Sequence, residues 1–158
     1  MTPTTTRAAW FGLAGAVLAL DQLTKAWVLA ALPLHQPVAV LPFFNLLLVH
    51  NPGAAFSFLA GAGGWQRWFF TVLSVVIAAG IAIWLARSAW RRPGLATALA
   101  LVLGGALGNL VDRLRFGYVV DFLDVHAAGW HWPAFNLADS AISCGAVLLL
   151  LLSLLGRE

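Results

Sequence analysis

Residues 95–113 read LATALALVLGGALGNLVDR. From Leu95 to Gly108 no side chain carries a charge, and then Asn109, Asp112 and Arg113 arrive together. At about 1.5 Å of rise per helical residue, Asn109 lies about 21 Å above Leu95, and Asp112 and Arg113 about 26 Å above it. A segment of this length that is apolar through most of its rise has the dimensions of a membrane span. Ionisable groups inside such a span are costly and point to function. The stretch therefore predicts a transmembrane helix with polar chemistry confined to one end.

Three further stretches have the same character, over about 8–31, 68–84 and 137–155, with this one covering about 95–111. The spans take up most of the chain, so a single integral membrane domain over 1–158 is expected. Composition agrees. Of 158 residues 61% are apolar and only 9% charged, against roughly 25% charged in an ordinary soluble domain. The mean hydropathy is +0.89. A water-soluble fold of this size cannot hide so much apolar surface. A soluble enzyme, a disordered chain and a nucleic-acid-binding module are thereby excluded. The formal net charge of +3 reflects scarce acids rather than a basic patch, because the nine Lys and Arg residues are scattered.

Charge bias orients the bundle. Arg7, Arg87, Arg91, Arg92 and Arg157 fall on one side of an even number of spans, against Arg67, Arg113 and Arg115 on the other. The positive-inside rule makes the first side cytoplasmic, with both termini there. The longer connections, about 32–67 and 112–136, then lie on the outer face. Trp residues cluster near the span ends as interfacial anchors do. A cleaved signal peptide is the rival reading of the first span, but Asp21 and Lys25 interrupt its apolar run.

The polar residues converge on one layer. Asp21 and Lys25 stand at i and i+4 on the first helix, about 20 and 26 Å from its inner end. The simpler reading of that pair is a self-neutralising ion pair, with Lys25 snorkelling to the interface. Asn109, Asp112 and Arg113 share a helical face, beyond glycines at 104, 105 and 108 that permit close helix packing. There they read as a brace, with a carboxylate such as Asp112 holding Arg113. Asn51-Pro52-Gly53 reads as a turn, followed by Ala54-Ala55-Phe56, which returns the chain toward the membrane. An Asn side chain there is suited to bracing the site. A glycine-rich stretch, Gly61-Ala62-Gly63-Gly64, is a candidate hinge.

Two further aspartates complete the layer. Asn136 and Asp139 have capping-box spacing at the start of the fourth helix, where the helix dipole favours an ionised acid. Asp121 lies in Tyr118-Val119-Val120-Asp121-Phe122, an alternating, strand-like run, and burial among such neighbours raises a carboxyl pKa. If Asp121 and Asp139 face each other, one is set up as base and the other as acid. Such a pair activates water against an amide without a metal or a covalent intermediate. Other chemistries fit less well. Cys144 is the only cysteine and sits in an apolar run. The serines lack a neighbouring His or Lys in the polar layer. The four histidines are loop residues without HExxH spacing.

Five motifs stand in order: Asp21 with Thr24-Lys25, Asn51-Pro-Gly-Ala-Ala-Phe56, Gly108-Asn109-Leu-Val-Asp112-Arg113, Val120-Asp121-Phe122, and Phe135-Asn136-Leu-Ala-Asp139-Ser140. In number, order and spacing they resemble the bacterial lipoprotein signal peptidases, the signal peptidase II family. The resemblance covers essentially the whole chain. It implies an all-α bundle of four transmembrane helices in the bacterial inner membrane, with a small β-rich cradle on the periplasmic face. It implies an aspartic endopeptidase that removes signal peptides from diacylglyceryl-modified prolipoproteins, cutting before the lipidated cysteine. The catalytic pair falls on Asp121 and Asp139. Asp21, Lys25, Asn51, Gly53, Asn109, Asp112, Arg113 and Asn136 carry over as supporting groups. No metal or cofactor is expected. Membrane lipids and globomycin-type inhibitors are expected partners, and a monomer is the expected state.

Two rivals place acids in membrane spans for other reasons. A transporter or channel subunit needs a polar path across the bilayer, which the apolar inner halves of these spans do not offer. A non-catalytic assembly factor uses polar pairs as glue between helices, and it leaves Asp121 and Asp139 unexplained.

Overall fold

A computed structural model describes residues 3–53, 65–87 and 89–156. The candidate hinge at 61–64, the return at 54–56, Ser57, Ser88, Arg157 and Glu158 lie outside the described residues. Among the described residues, four helices are long and apolar enough to cross a membrane: α1 (Pro3–Ala31), α2 (Trp65–Arg87), α3 (Pro93–Arg115) and α4 (Leu137–Leu154). Strands β1 (Val38–Leu41) and β2 (Phe44–Asn51) lie between α1 and α2, and β3 (Val119–Ala127) and β4 (Trp130–His131) between α3 and α4. The strands form one antiparallel sheet in the order β1-β2-β3-β4.

The central helix is α3. Two-thirds (67%) of its span is buried within the bundle, against 28%, 22% and 17% for α1, α2 and α4. The outer helices turn Leu23, Trp27, Val72, Val76, Leu150 and Leu154 outward. That arrangement is stable only if lipid rather than water surrounds it. Close approach at the centre depends on missing side chains. A Cβ on Gly104 would stand 2.6 Å from the Ala14 carbonyl oxygen of α1, and one on Gly145 would stand 2.7 Å from that of Ala98. At Gly105 a Cβ would collide with the Ala138 carbonyl of α4. Small residues thus let α3 pack backbone-close to two neighbours.

Helix ends follow local chemistry. Pro93 opens α3 after the extended Arg92, the favoured place for a residue without an N–H. At the far end α3 runs past the expected boundary at 111 to Arg115, so Asp112 and Arg113 are helical rather than part of the connection. Gly117 follows at a φ of 84°, a left-handed turn that releases the chain into β3. At the arginine-rich end, a 3-10 turn (Ala89–Arg91) joins α2 to α3. There Trp10 Nε1 donates to the Trp90 carbonyl at 3.2 Å, and the Arg7 guanidinium lies 4.7 Å from the Trp90 ring.

One irregularity in the sheet positions the site. From Leu46 to Val49 strand β2 advances three residues, while its partners in β3 move only two, from Leu123 to Asp121. The extra residue inverts the alternation of faces. Asn45 and Asn51, which a regular strand would place on one face, therefore lie on opposite faces. Asn45 meets Asp124 and Asn51 meets Asp121, with amide–carboxylate distances of 2.8 and 2.9 Å.

Candidate active site

Lys25 holds the helices together beneath the site. It is 2% exposed, so it turns into the bundle rather than snorkelling. Its Nζ lies 2.9 Å from Asp21 Oδ2 and 2.7 Å from Asp112 Oδ2, and it donates to Asn109 Oδ1 at 2.9 Å. The expected pair within α1 is present, but its cation is shared with α3. One buried ammonium and two buried carboxylates leave a net negative charge, which further hydrogen bonds offset. Asp21 Oδ1 accepts from the Ala138 N–H in the first turn of α4 at 2.9 Å. It thereby satisfies a donor that the helix cannot. Asp112 Oδ2 accepts from the Val120 N–H at 3.1 Å and ties α3 to β3.

Gln22 is a member of this network that the sequence reading passed over. Its Nε2 donates to Asp112 Oδ1 at 2.9 Å and to Asp21 Oδ2 and the Gly108 carbonyl at 3.2 Å each. The signal was an amide beside an aspartate in an otherwise apolar span. The expected Asp112–Arg113 pairing is corrected. Asp112 is committed to Lys25, because α3 turns the two side chains to different neighbours. Arg113 instead donates to the Asn109 and Gly53 carbonyls at 3.4 Å each, and its guanidinium lies 5.7 Å from the Phe70 ring.

Above this base stand the two remaining motif aspartates. Asp121, on β3, is 2% exposed and accepts from Asn51 Nδ2 at 2.9 Å and Asn136 Nδ2 at 2.8 Å. Asp139, on α4, accepts from Asn109 Nδ2 at 2.7 Å and from the Asn136 N–H at 3.3 Å. The expected capping box is complete, since Asn136 Oδ1 accepts from the Asp139 N–H at 2.9 Å. Asn136 thus contacts both carboxylates, one through its side chain and one through its main chain. Asn51 is itself oriented by the Gly53 N–H, which donates to its Oδ1 at 3.0 Å.

Burial pushes the Asp121 carboxyl up to about 7, and the negative charge of Asp139 adds to the effect, against the hydrogen bonds from Asn51 and Asn136. Both aspartates open on one cavity of about 730 Å³. Asn51, Asn109 and Arg113 share its polar end. Phe70, Leu73 and Ile77 of α2, Val102 and Ala106 of α3, and Ile142 of α4 make its apolar walls. Residues 132–135 close it from the sheet side. Ser140, Ser143 and Cys144 also border it. Cys144 is exposed.

Of the ten residues singled out from the sequence, Asp21, Lys25 and Asp112 form the buried base. Asn109, Asn136, Asn51, Gly53 and Arg113 link that base to Asp121 and Asp139 through the contacts above. Among the described residues, no group of three or more His, Cys, Asp and Glu side chains has the geometry of a metal site.

Fold and site together define a four-span integral membrane protein with an acid-bearing cleft between its helices and its sheet. A model of the family described as signal peptidase (SPase) II matches residues 13–155, and the chain belongs to that family. It is therefore a peptidase, a hydrolase. A lipoprotein signal peptidase of Paraburkholderia phymatum is 56% identical over 142 residues, which cover 90% of this chain and 85% of the relative. One of Alteromonas mediterranea is 56% identical over 132 residues, 84% of this chain and 72% of that one. A solved structure of a bacterial membrane enzyme superposes with a TM-score of 0.84 at 30% identity, covering 93% of this chain and 88% of that one.

Proposed function

We propose that this chain is an aspartic endopeptidase that removes signal peptides from diacylglyceryl-modified prolipoproteins, with Asp121 and Asp139 as its acid–base pair. The observation that carries the reading is the bridging of the buried Asp121 carboxylate and the partly buried Asp139 carboxylate by Asn136 at the head of an apolar cleft. In the reactive form the pair shares one proton. Ionised Asp139 takes a proton from water, and the resulting oxygen attacks the scissile carbonyl. Protonated Asp121 then supplies the proton that the leaving nitrogen needs. Arg113 and the Asn51 amide border the polar end, where an oxyanion develops.

The cleft suits the substrate class. A signal peptide is an apolar segment, matched by the walls from α2, α3 and α4, and acyl chains remain in surrounding lipid. The arginine majority at the opposite end favours a cytoplasmic location for that end and a periplasmic one for the site, in the bacterial inner membrane. A cyclic lipopeptide of the globomycin type would compete for the same cleft. One chain carries both aspartates, so a monomer suffices.

The test is incubation of the purified protein with a lipidated prolipoprotein, scoring loss of the signal peptide by size. Wild type should cleave before the lipidated cysteine. Asp121→Asn and Asp139→Asn should each insert and fold yet leave the substrate intact. Cleavage by either variant rejects the dyad. Activity lost in EDTA and restored by zinc would replace it with a metal mechanism.

A further inference from the structure

Asp124 is the one aspartate that this chemistry leaves unused. It is 2% exposed and lies on the face of β3 opposite Asp121. Its carboxylate accepts from Asn45 Nδ2 of β2 at 2.8 Å and lies 2.8 and 3.0 Å from His131 Nδ1 of β4. The His131 side chain is 53% exposed, and its ring stacks on His126 at 4.8 Å. Burying a carboxylate here is costly unless its partners stay in place. Burial works to raise the Asp124 carboxyl, but the hydrogen bonds from His131 and Asn45 and the charges of His131 and His126 outweigh it and hold it below its usual range.

What His131 anchors is the next stretch of chain. Strand β4 has only two residues, paired as His126 with His131 and Ala127 with Trp130. So short a ladder adds little stability by itself. Directly after it, residues 132–135 form the sheet-side wall of the catalytic cleft. In that wall Pro133 has no N–H to give, and Trp132 N donates to the Val125 carbonyl at 2.8 Å. Phe135 is held separately. Its N–H donates to the Leu123 carbonyl at 3.1 Å, and its carbonyl accepts from the Phe122 and Leu123 N–H groups at 3.0 and 2.8 Å. Asn136 and the dyad therefore have their own attachment to β3 through Phe135, the last residue of the wall.

We propose that the Asp124–His131 pair is a positioning latch that sets the 132–134 part of the wall against the substrate, independently of the catalytic pair. The inference rests on the proposed function for what the wall holds. His131 and Asp124 are positioning residues and touch no reacting atom. Releasing the latch loosens the wall and leaves Asp121 and Asp139 in register.

The test combines steady-state kinetics with hydrogen exchange on the full chain. His131→Ala should raise KM about tenfold, the usual scale for loss of a hydrogen bond to a charged group. Its kcat should stay within about twofold of wild type. Exchange at the Trp132 amide should quicken while the Leu123 and Phe135 amides keep their protection. His131→Asn, whose amide nitrogen occupies the place of Nδ1, should restore both properties. A general loss of structure would instead lower protection everywhere, and that result overturns the latch. An unchanged KM or an unchanged Trp132 amide also overturns it. Failure of the wild-type protein to cleave lipidated substrate counts against the functional reading alone, because the exchange measurement still decides whether the latch exists.

Discussion

The side-chain amide of Asn136 donates to Asp121 Oδ1 at 2.8 Å. The same residue caps α4 and reaches Asp139 through its main-chain N–H. Its Nδ2 also lies 3.2 Å from Asn109 Oδ1 and 3.3 Å from the Val120 carbonyl. A single residue thus ties the start of a helix to both carboxylates.

Replacing Asn136 with alanine should lower kcat roughly a hundredfold, the scale seen when one preorganised donor is removed. Loss of the cap should cost about 1 kcal/mol of stability. Initial rates and thermal unfolding in the same detergent separate the two effects. A variant that unfolds earlier but turns over at the wild-type rate would show that the bridge is structural only.

The alkaline limb of the pH profile should belong to Asp121. Its carboxyl, raised to about 7 by burial and then by the charge of Asp139, must be protonated to act as acid. The value of kcat/KM should therefore fall as pH rises through about 7, approaching tenfold per unit above it. Stability follows the same sign. The folded state holds this proton more tightly than the unfolded chain, where an aspartate titrates near 3.8. The contribution of this group is thus largest below about pH 4 and declines toward pH 7, by up to about 1.4 kcal/mol per unit. Asp121→Asn should lose that slope, as denaturation at pH 5 and pH 7 would reveal.

Much of this is legible in the sequence alone, for a physical reason. Lipid leaves so few places for charge that Asp21, Lys25, Asn109 and Asp112 had to find one another, and helical rise gave their common depth. The capping box at Asn136 was a local pattern, readable from spacing alone. Arg113 was misread, because i to i+1 neighbours on a helix point to different partners, and its own are carbonyls supplied by distant segments. The bulge in β2 left no readable mark, since nothing in Leu46–Val49 distinguishes an extra residue from a regular strand. The pairing of Asp124 with His131 depends on the return of the chain as β4, a two-residue strand too short to show as a pattern, so it too needed the fold.

Lys25 should be indispensable for folding rather than for chemistry alone. Lys25→Met leaves Asp21 and Asp112, both 1% exposed or less, without their cation. Breaking a buried ion network in this way typically costs 3–5 kcal/mol, so a markedly lower unfolding temperature is expected. Neutralising all three together, as Asp21→Asn, Lys25→Met and Asp112→Asn, should recover part of that loss. A triple variant no more stable than Lys25→Met would show that the hydrogen bonds to Ala138 and Val120 matter more than the charge.

The glycines of α3 and α1 should differ sharply in their tolerance of a methyl group. At Gly108 a Cβ would collide with the Asp21 carboxylate, and at Gly105 with the Ala138 carbonyl. Neither neighbour has room to yield, because Asp21 is locked to Lys25 and to α4, and Ala138 is helix backbone. Gly108→Ala and Gly105→Ala must push α3 away from α1 or α4, at a cost of about 1–3 kcal/mol. They should also lower activity, since Asn109 hands its Nδ2 across that same contact to Asp139. At Gly12 of α1 a Cβ would meet nothing within 4 Å. Gly12→Ala should leave stability unchanged or raise it by up to about 1 kcal/mol, because alanine is the better helix former. Unfolding temperatures of the three variants side by side decide the matter. Equal behaviour would mean that helix propensity, and not the close approach of α3, dictates where glycine stands.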